Sequence, residues 1–275
     1  MLTLKNLIQR TLTGIVYIAV ITAAICVHPL LFAGIFSLVV GRLIHEFYTI
    51  IKYGGPAWIR YLGIAGGMYW FVASCLYAGN YTGFDIYIPY IIILLVLLVS
   101  ELYVPKSDPV SRWGMMIFAQ CYCAGFVSLL CFIPYMISPV YNPLPVLMIF
   151  VFIWLNDTGA YLTGTLMGKH RLFQRISPLK SWEGFGGGLF VVVAASLCFA
   201  CFYKELTWYQ WLIFAVITVV SATWGDLMES LLKRTYGAKD SGKILPGHGG
   251  MLDRFDSAIL ASPSVYVYFE LLIRN

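Results

Sequence analysis

The chain has 275 residues, 60% of them hydrophobic and 11% charged, with a formal net charge of +5 and a mean hydropathy of +0.81. Soluble domains carry about 25% charged residues, so this composition excludes a water-soluble globular chain and points to an integral membrane protein.

A membrane-crossing helix needs about 20 mainly apolar residues. In chain order the sequence predicts nine such spans, at 11–27, 30–50, 61–79, 86–104, 114–133, 146–167, 185–203, 211–233 and 257–273. The breaks between them carry turn chemistry: Pro29, then Gly54-Gly55-Pro56, Gly79-Asn80, and the proline-rich stretch Pro134–Pro145. The short positive start, with Lys5 and Arg10, resembles the first part of a signal peptide. With so many apolar runs behind it, a retained first helix is expected. The expected fold is all-α and polytopic, with 1–145 forming the N-terminal helices and 146–275 a C-terminal catalytic region of one membrane-embedded unit.

Charge sets the orientation. With the N-terminus cytoplasmic, fifteen of the 18 Lys and Arg residues fall inside: Lys5, Arg10, Lys52, Arg60, Lys106, Arg112, Lys169, Arg171, Arg175, Lys180, Lys233, Arg234, Lys239, Lys243 and Arg254. Only Lys204 and Arg274 fall outside, and Arg42 lies within a span. The positive-inside rule therefore predicts a cytoplasmic N-terminus and an external C-terminus. The seven cysteines read as small hydrophobes in apolar runs, and none forms paired CxxC zinc spacing. Cys198 and Cys201 in particular are expected to take no part in a disulfide or metal site.

Acidic residues inside apolar spans are expensive and mark pairs or functional sites. Glu46 follows Arg42 by one turn, and an internal ion pair or a headgroup contact accounts for it. Asp157 lies mid-span in "WLNDTGAYLTGTLMG" with no basic residue within a turn, and Tyr161 follows on its face. Gly164 and Gly168 form a small-xxx-small pair that lets another helix approach. In the eighth span Asp226, Glu229, Ser230 and Lys233 share one face, with Glu229 and Lys233 at pairing distance in sequence.

After that span comes "SLLKRTYGAKDSGKILPGHGGMLDRFDS", a dense run of charge in an apolar chain. Glycines 247, 249 and 250 let backbone approach a ligand closely. Lys and Arg side chains suit phosphates. Asp226, Asp253 and Asp256 suit a hard cation, and Mg²⁺ favours a few carboxylates plus substrate phosphate oxygens. Together these describe a site for a metal-bound polyphosphate. The run "GFGGG" at 184–188 is not expected to be a dinucleotide fingerprint, since no strand precedes it.

The pattern formed by Ser230, Lys233, Arg234, Lys239, Asp240, Gly242, Lys243, Pro246, Gly247, His248, Gly249, Gly250, Asp253, Arg254 and Asp256 resembles the signature of the phosphatidate cytidylyltransferases. The stretch "NDTGAYLTGTLMGKHRLFQRISPLKSWEGFGGG" is also similar to that family, with Leu179 standing where a second basic residue is expected before Lys180. The resemblance covers about 146–260; residues 1–145 match only as a set of apolar spans. It implies the reaction CTP + phosphatidate → CDP-diacylglycerol + pyrophosphate at the cytoplasmic face of the cell's inner membrane. It implies Mg²⁺ on Asp226, Asp253 and Asp256, and admits a second cation, including a monovalent one. Catalytic positions are Asp226, Asp253, Lys239, Asp240, His248 and Arg254. His248 reads equally as a phosphate donor or as a structural residue. Substrate binding falls to Asp157, Tyr161, Lys180, Ser230, Lys233, Arg234, Lys243, Gly249 and Gly250. The partners implied are CTP, phosphatidate and membrane lipids, with no nucleic acid; a homodimer is compatible with it. A cation-coupled transporter would also use Asp157 and Asp226, but the sequence carries no internal repeat. A CDP-alcohol phosphotransferase would need a D-G-x-x-A-R pattern that is missing.

Overall fold

Apolar helices of membrane length dominate the computed structural model, which describes residues 4–105, 108–242, 244 and 249–272, with the side chains of 4–10 excepted. Among the described residues the long helices are α1 (Leu4–Val27), α2 (Pro29–Ile50), α3 (Ala57–Ala78), α4 (Ile88–Ser100), α5 (Pro109–Ala119), α6 (Leu144–Met167), α7 (Trp182–Phe202), α8 (Trp208–Thr235) and α9 (Leu252–Leu272). Short 3-10 turns extend α4 at both ends, and α5 runs on through a π-helical segment, Gln120–Gly125, to about Tyr135. With these extensions, the helices from α2 to α8 are each long and apolar enough to cross a membrane. α1 adds a shorter apolar stretch, Thr11–Val27. α9 is less apolar because it carries Asp253, Arg254, Asp256 and Glu270. Every expected span coincides with a helix.

The helix ends follow from local chemistry. Pro at the first turn lacks the N–H that would have no partner there, and it opens α2, α4, α5 and α6. Ser181 caps α7 by accepting a hydrogen bond from the Gly184 N–H at 3.1 Å. Thr207 and Gln210 form a capping box on α8.

One segment departs from the all-α expectation. Between α6 and α7 the chain makes an antiparallel hairpin of β1 (Arg171–Phe173) and β2 (Ser177–Ser181), with Arg171 opposite Ser181 and Phe173 opposite Ser177. A strand therefore does precede "WEGFGGG". The hairpin has no parallel partner strand, and the glycines sit inside α7, where Gly184 and Gly188 pack on α6. A Cβ on Gly159 would lie 3.1 Å from the Cα of Gly188, and one on Gly184 would lie 3.4 Å from the Cα of Gly164. Small residues thus let α6 and α7 meet backbone to backbone; the run is a packing stripe.

The cysteine expectation needs one correction. Cys75 of α3 pairs with Cys131, beyond the π segment, as a disulfide, with Cα atoms 4.8 Å apart. Their separation of 56 residues hid the pairing from any local spacing rule. Cys198 and Cys201 are free thiols.

Two features place the site. An aromatic cluster of Phe36, Phe71, Phe150 and Phe255 ties α2, α3, α6 and α9 together, with the Phe36 and Phe255 rings 5.9 Å apart. α9 also packs along α8, so the charged N-terminal turn of α9 stands beside the charged C-terminal part of α8.

Candidate active site

Asp226, Ser230 and Lys233 rise along the C-terminal part of α8. The Asp226 carboxylate receives the Lys180 ammonium at 2.5 Å and the Ser230 hydroxyl at 3.3 Å. Lys180 comes from strand β2, next to Ser181, the N-cap of α7. Glu183 Oε1 pairs with His170 Nδ1 at 2.6 Å, and its Oε2 accepts the Lys169 N–H at 3.1 Å, closing the hairpin's base.

Lys233 is committed elsewhere. It bridges Glu229, at 2.5 Å, and Asp253, at 2.7 Å. Asp253 accepts further hydrogen bonds from the backbone N–H groups of Ser241 (3.0 Å) and Gly250 (2.7 Å). A carboxylate with charge-assisted bonds on both oxygens acts as a knot; it ties the loop after α8 to the first turn of α9. Gly249 has φ +83, and a Cβ there would lie 2.5 Å from Asp253 Oδ2, so the knot requires glycine at this position.

Glu46, fully buried in α2, completes the anchoring. Its Oε1 pairs with Arg42 at 3.0 Å, as the i, i+4 spacing predicted. Its Oε2 also accepts the Ser241 hydroxyl at 2.9 Å and the Leu252 N–H at 2.8 Å. In the sequence an ion pair with Arg42 or a headgroup contact accounted for Glu46. The signal for the larger role was a carboxylate too costly to bury for one partner.

Two cavities meet at Asp157. One, about 230 Å³, is lined by Asp157, Tyr161, Lys180 and Asp226. The other, about 170 Å³, is lined by Asp157, Asp253, Arg254 and Asp256, with Thr13 and Tyr17 of α1 as its far wall. The charges of Asp157, Asp226 and Asp256 act on one another, and Lys180 and Arg254 offset part of the repulsion at Asp157. The side chains of Thr13 and Tyr17 were missed in the sequence, where α1 read only as an apolar span. Tyr17 packs edge-on against Trp154 and Phe255 and reaches the Arg254 carbonyl at 3.5 Å.

The remaining expected residues are less gathered. Tyr161 is exposed at the rim. Lys239 and Asp240 are exposed on the loop, and Arg234 reaches the Ala238 carbonyl at 3.4 Å. Gly250 packs against Ser241 and Glu46. Lys243 and His248 lie outside the described residues.

A divalent cation can be tested against these donors. Among the described residues no three His, Cys, Asp or Glu side chains form a ready-made metal cage. The chemistry still fits a hard cation that brings phosphate oxygens with it. Asp226 already holds an ammonium, and Asp256 accepts a hydrogen bond from the adjacent Ser257 N–H. Asp253, held by Lys233 and by the backbone N–H groups of Ser241 and Gly250, fits less well as a ligand than as the loop's anchor.

Arrangement and sequence define the class: the chain belongs to the cytidylyltransferase family, whose profile matches residues 8–272. The match takes in the N-terminal helices as well as the region carrying the motifs. Among individual relatives, the phosphatidate cytidylyltransferase of Staphylococcus aureus (strain COL) is 50% identical over 123 residues, covering 43% of this chain and 46% of that protein. The enzymes of the same name from Staphylococcus epidermidis and Staphylococcus saprophyticus are 49% and 48% identical over 120 and 119 residues, with the same coverage. The matched segment thus spans about half the length of these relatives.

Proposed function

We propose that the protein is a phosphatidate cytidylyltransferase, making CDP-diacylglycerol and pyrophosphate from CTP and phosphatidate. The observation that carries this is the meeting of two cavities at Asp157, one bordered by Lys180 and Asp226 and the other by the signature residues Asp253, Arg254 and Asp256. A phosphatidate oxygen attacks the α-phosphorus of CTP; the new P–O bond forms as the α–β bridging bond breaks, and pyrophosphate departs with the electron pair. Such a displacement needs positioning and charge neutralisation, with no nucleophilic side chain. Lys180 and Arg254 offer positive charge to the phosphates, together with Lys239 from the loop. Asp226 and Asp256 would hold Mg²⁺, with Asp157 alongside, and Asp253 would keep the loop in register. The cation, when bound, would neutralise developing charge on the phosphates.

The site would face the cytoplasm, the source of CTP, with the N-terminus on that side, in the cell's inner membrane. The charge asymmetry of the loops supports this reading. The decisive experiment is product analysis after incubating detergent-purified protein with CTP, Mg²⁺ and phosphatidate. Formation of CDP-diacylglycerol is expected. No turnover with phosphatidate, or turnover that needs a sealed compartment, would refute the reading.

A further inference from the structure

Near the connecting turn Ile21, Ala24 and Ile25 of α1 are buried, whereas Val16 of α1 and Leu38 of α2 are 60% and 65% exposed. The helices splay into a groove of about 730 Å³, within the 300–1,000 Å³ range of ligand pockets. Its walls are stripes at helical spacing: Leu12, Val16 and Val20 on α1, and Ile35 and Leu38 on α2, ending at Arg42.

Two observations separate this groove from ordinary lipid-facing surface. It shares Thr13 and Tyr17 with the polar cavity that holds Asp157, Arg254 and Asp256, so the inner half of α1 is a thin wall between apolar and polar spaces. The guanidinium at its polar end, Arg42, is paired with Glu46, the residue that anchors Ser241 and Leu252 of the site. An apolar trough with a cation at its mouth and a phosphate-transfer cavity behind its wall matches one occupant, an anionic lipid that must present its headgroup to that cavity.

We infer that the α1–α2 groove is the acyl-chain seat of the lipid substrate, with the glycerol crossing the Thr13–Tyr17 wall and the phosphate entering beside Arg254. This rests on the phosphatidate reading above. The groove determines how chain length is sensed, because a long chain runs past Val16 to fill the far end at Val20 and Ile35, which a short chain leaves empty.

The test is turnover of dioleoyl and dihexanoyl phosphatidate at saturating CTP by wild type, Val20→Trp and Leu38→Trp. Filling the groove should raise KM about tenfold for the dioleoyl lipid while the dihexanoyl value moves less than about twofold, a loss of binding specific to the long chain. Equal changes for both lipids, or no change for either, would overturn the inference. A second measurement does not depend on the variants folding. Phosphatidate carrying a diazirine near one chain end should label peptides containing Val16, Val20 and Leu38, with competition from dioleoyl phosphatidate but not dioleoylphosphatidylcholine. Labelling elsewhere, or indifference to the competitor, would refute the groove. If the wild type makes no CDP-lipid, the activity reading fails by itself, and the labelling still decides the groove.

Discussion

Glu46 accepts a hydrogen bond from the backbone N–H of Leu252 at 2.8 Å, across 206 residues of chain. The bond supplies a partner for a backbone donor in the first turn of α9, where a helix has none of its own. It also couples the N-terminal helices to the signature loop. Glu46→Ala would leave Arg42, Ser241 and the Leu252 N–H without this partner. Breaking a buried charge pair on one side costs about 3–5 kcal/mol. We expect a clear fall in the thermal-aggregation midpoint of detergent-purified protein and loss of turnover together. Glu46→Gln, which keeps an acceptor, should recover part of the stability. An unchanged midpoint for Glu46→Ala would remove the anchoring role.

Asp226 and Asp253 should respond differently to the same change. Asp226 faces a cavity, and among the described residues its hydrogen bonds come from Lys180 and Ser230, so Asp226→Asn should fold normally and lose about 10²- to 10³-fold in kcat, as when one charge-stabilising group is removed from an active site. Asp253→Asn weakens the bridge to Lys233 and two backbone contacts, so it should lose both stability and turnover. Thermal midpoints and kcat measured on the two variants side by side would separate the roles; equal midpoints would count against Asp253 as the loop's knot.

The close approach of α6 and α7 predicts a purely steric effect at an uncharged position. A Cβ on Gly188 would come within 2.9 Å of the Asn156 carbonyl oxygen and still closer to its side chain. Gly188→Val should push the helices apart, at a cost of about 1–3 kcal/mol for overpacking. Because Asp157 is the next residue along, CTP turnover should fall as well. Gly186→Ala, at an exposed position with no heavy atom within 4 Å of the added Cβ, is the matched control and should be silent.

The spans were legible because each is a long apolar run, and a run of that length admits almost only a helix in lipid. The carboxylates of the site were legible because Asp157 and Asp226 violate that pattern. Three things were not. The Lys180–Asp226 and Glu46–Leu252 contacts join residues far apart in sequence, and neither carries a periodic signal. The i, i+4 spacing pairs Lys233 with Glu229 and the family resemblance gave it to the substrate, and only packing reveals Asp253 as its second partner. The hairpin after α6 lacks the long alternation that announces a strand, since β1 is three residues and β2 five.

Asp157 gives the sharpest test of the shared-cavity geometry. A mid-span carboxylate facing lipid would be prohibitive, and the structure instead turns it to the junction of two cavities, near Lys180 and Arg254. Asparagine preserves its shape and much of its hydrogen bonding and removes only the charge. If Asp157 served merely as a neutral structural acid, Asp157→Asn would leave kcat and the dependence on CTP and Mg²⁺ untouched. If its charge positions the cation or the lysine, kcat should fall by about 10²-fold or more, the scale of a lost electrostatic contact in a site shielded from water, with the thermal midpoint unchanged. The Mg²⁺ titration then distinguishes the two charged roles. A rightward shift in the half-saturating Mg²⁺ concentration would assign Asp157 to the cation, and an unshifted curve with reduced kcat would assign it to orienting Lys180. Full activity in the variant would leave the chemistry to α8 and the loop that follows it.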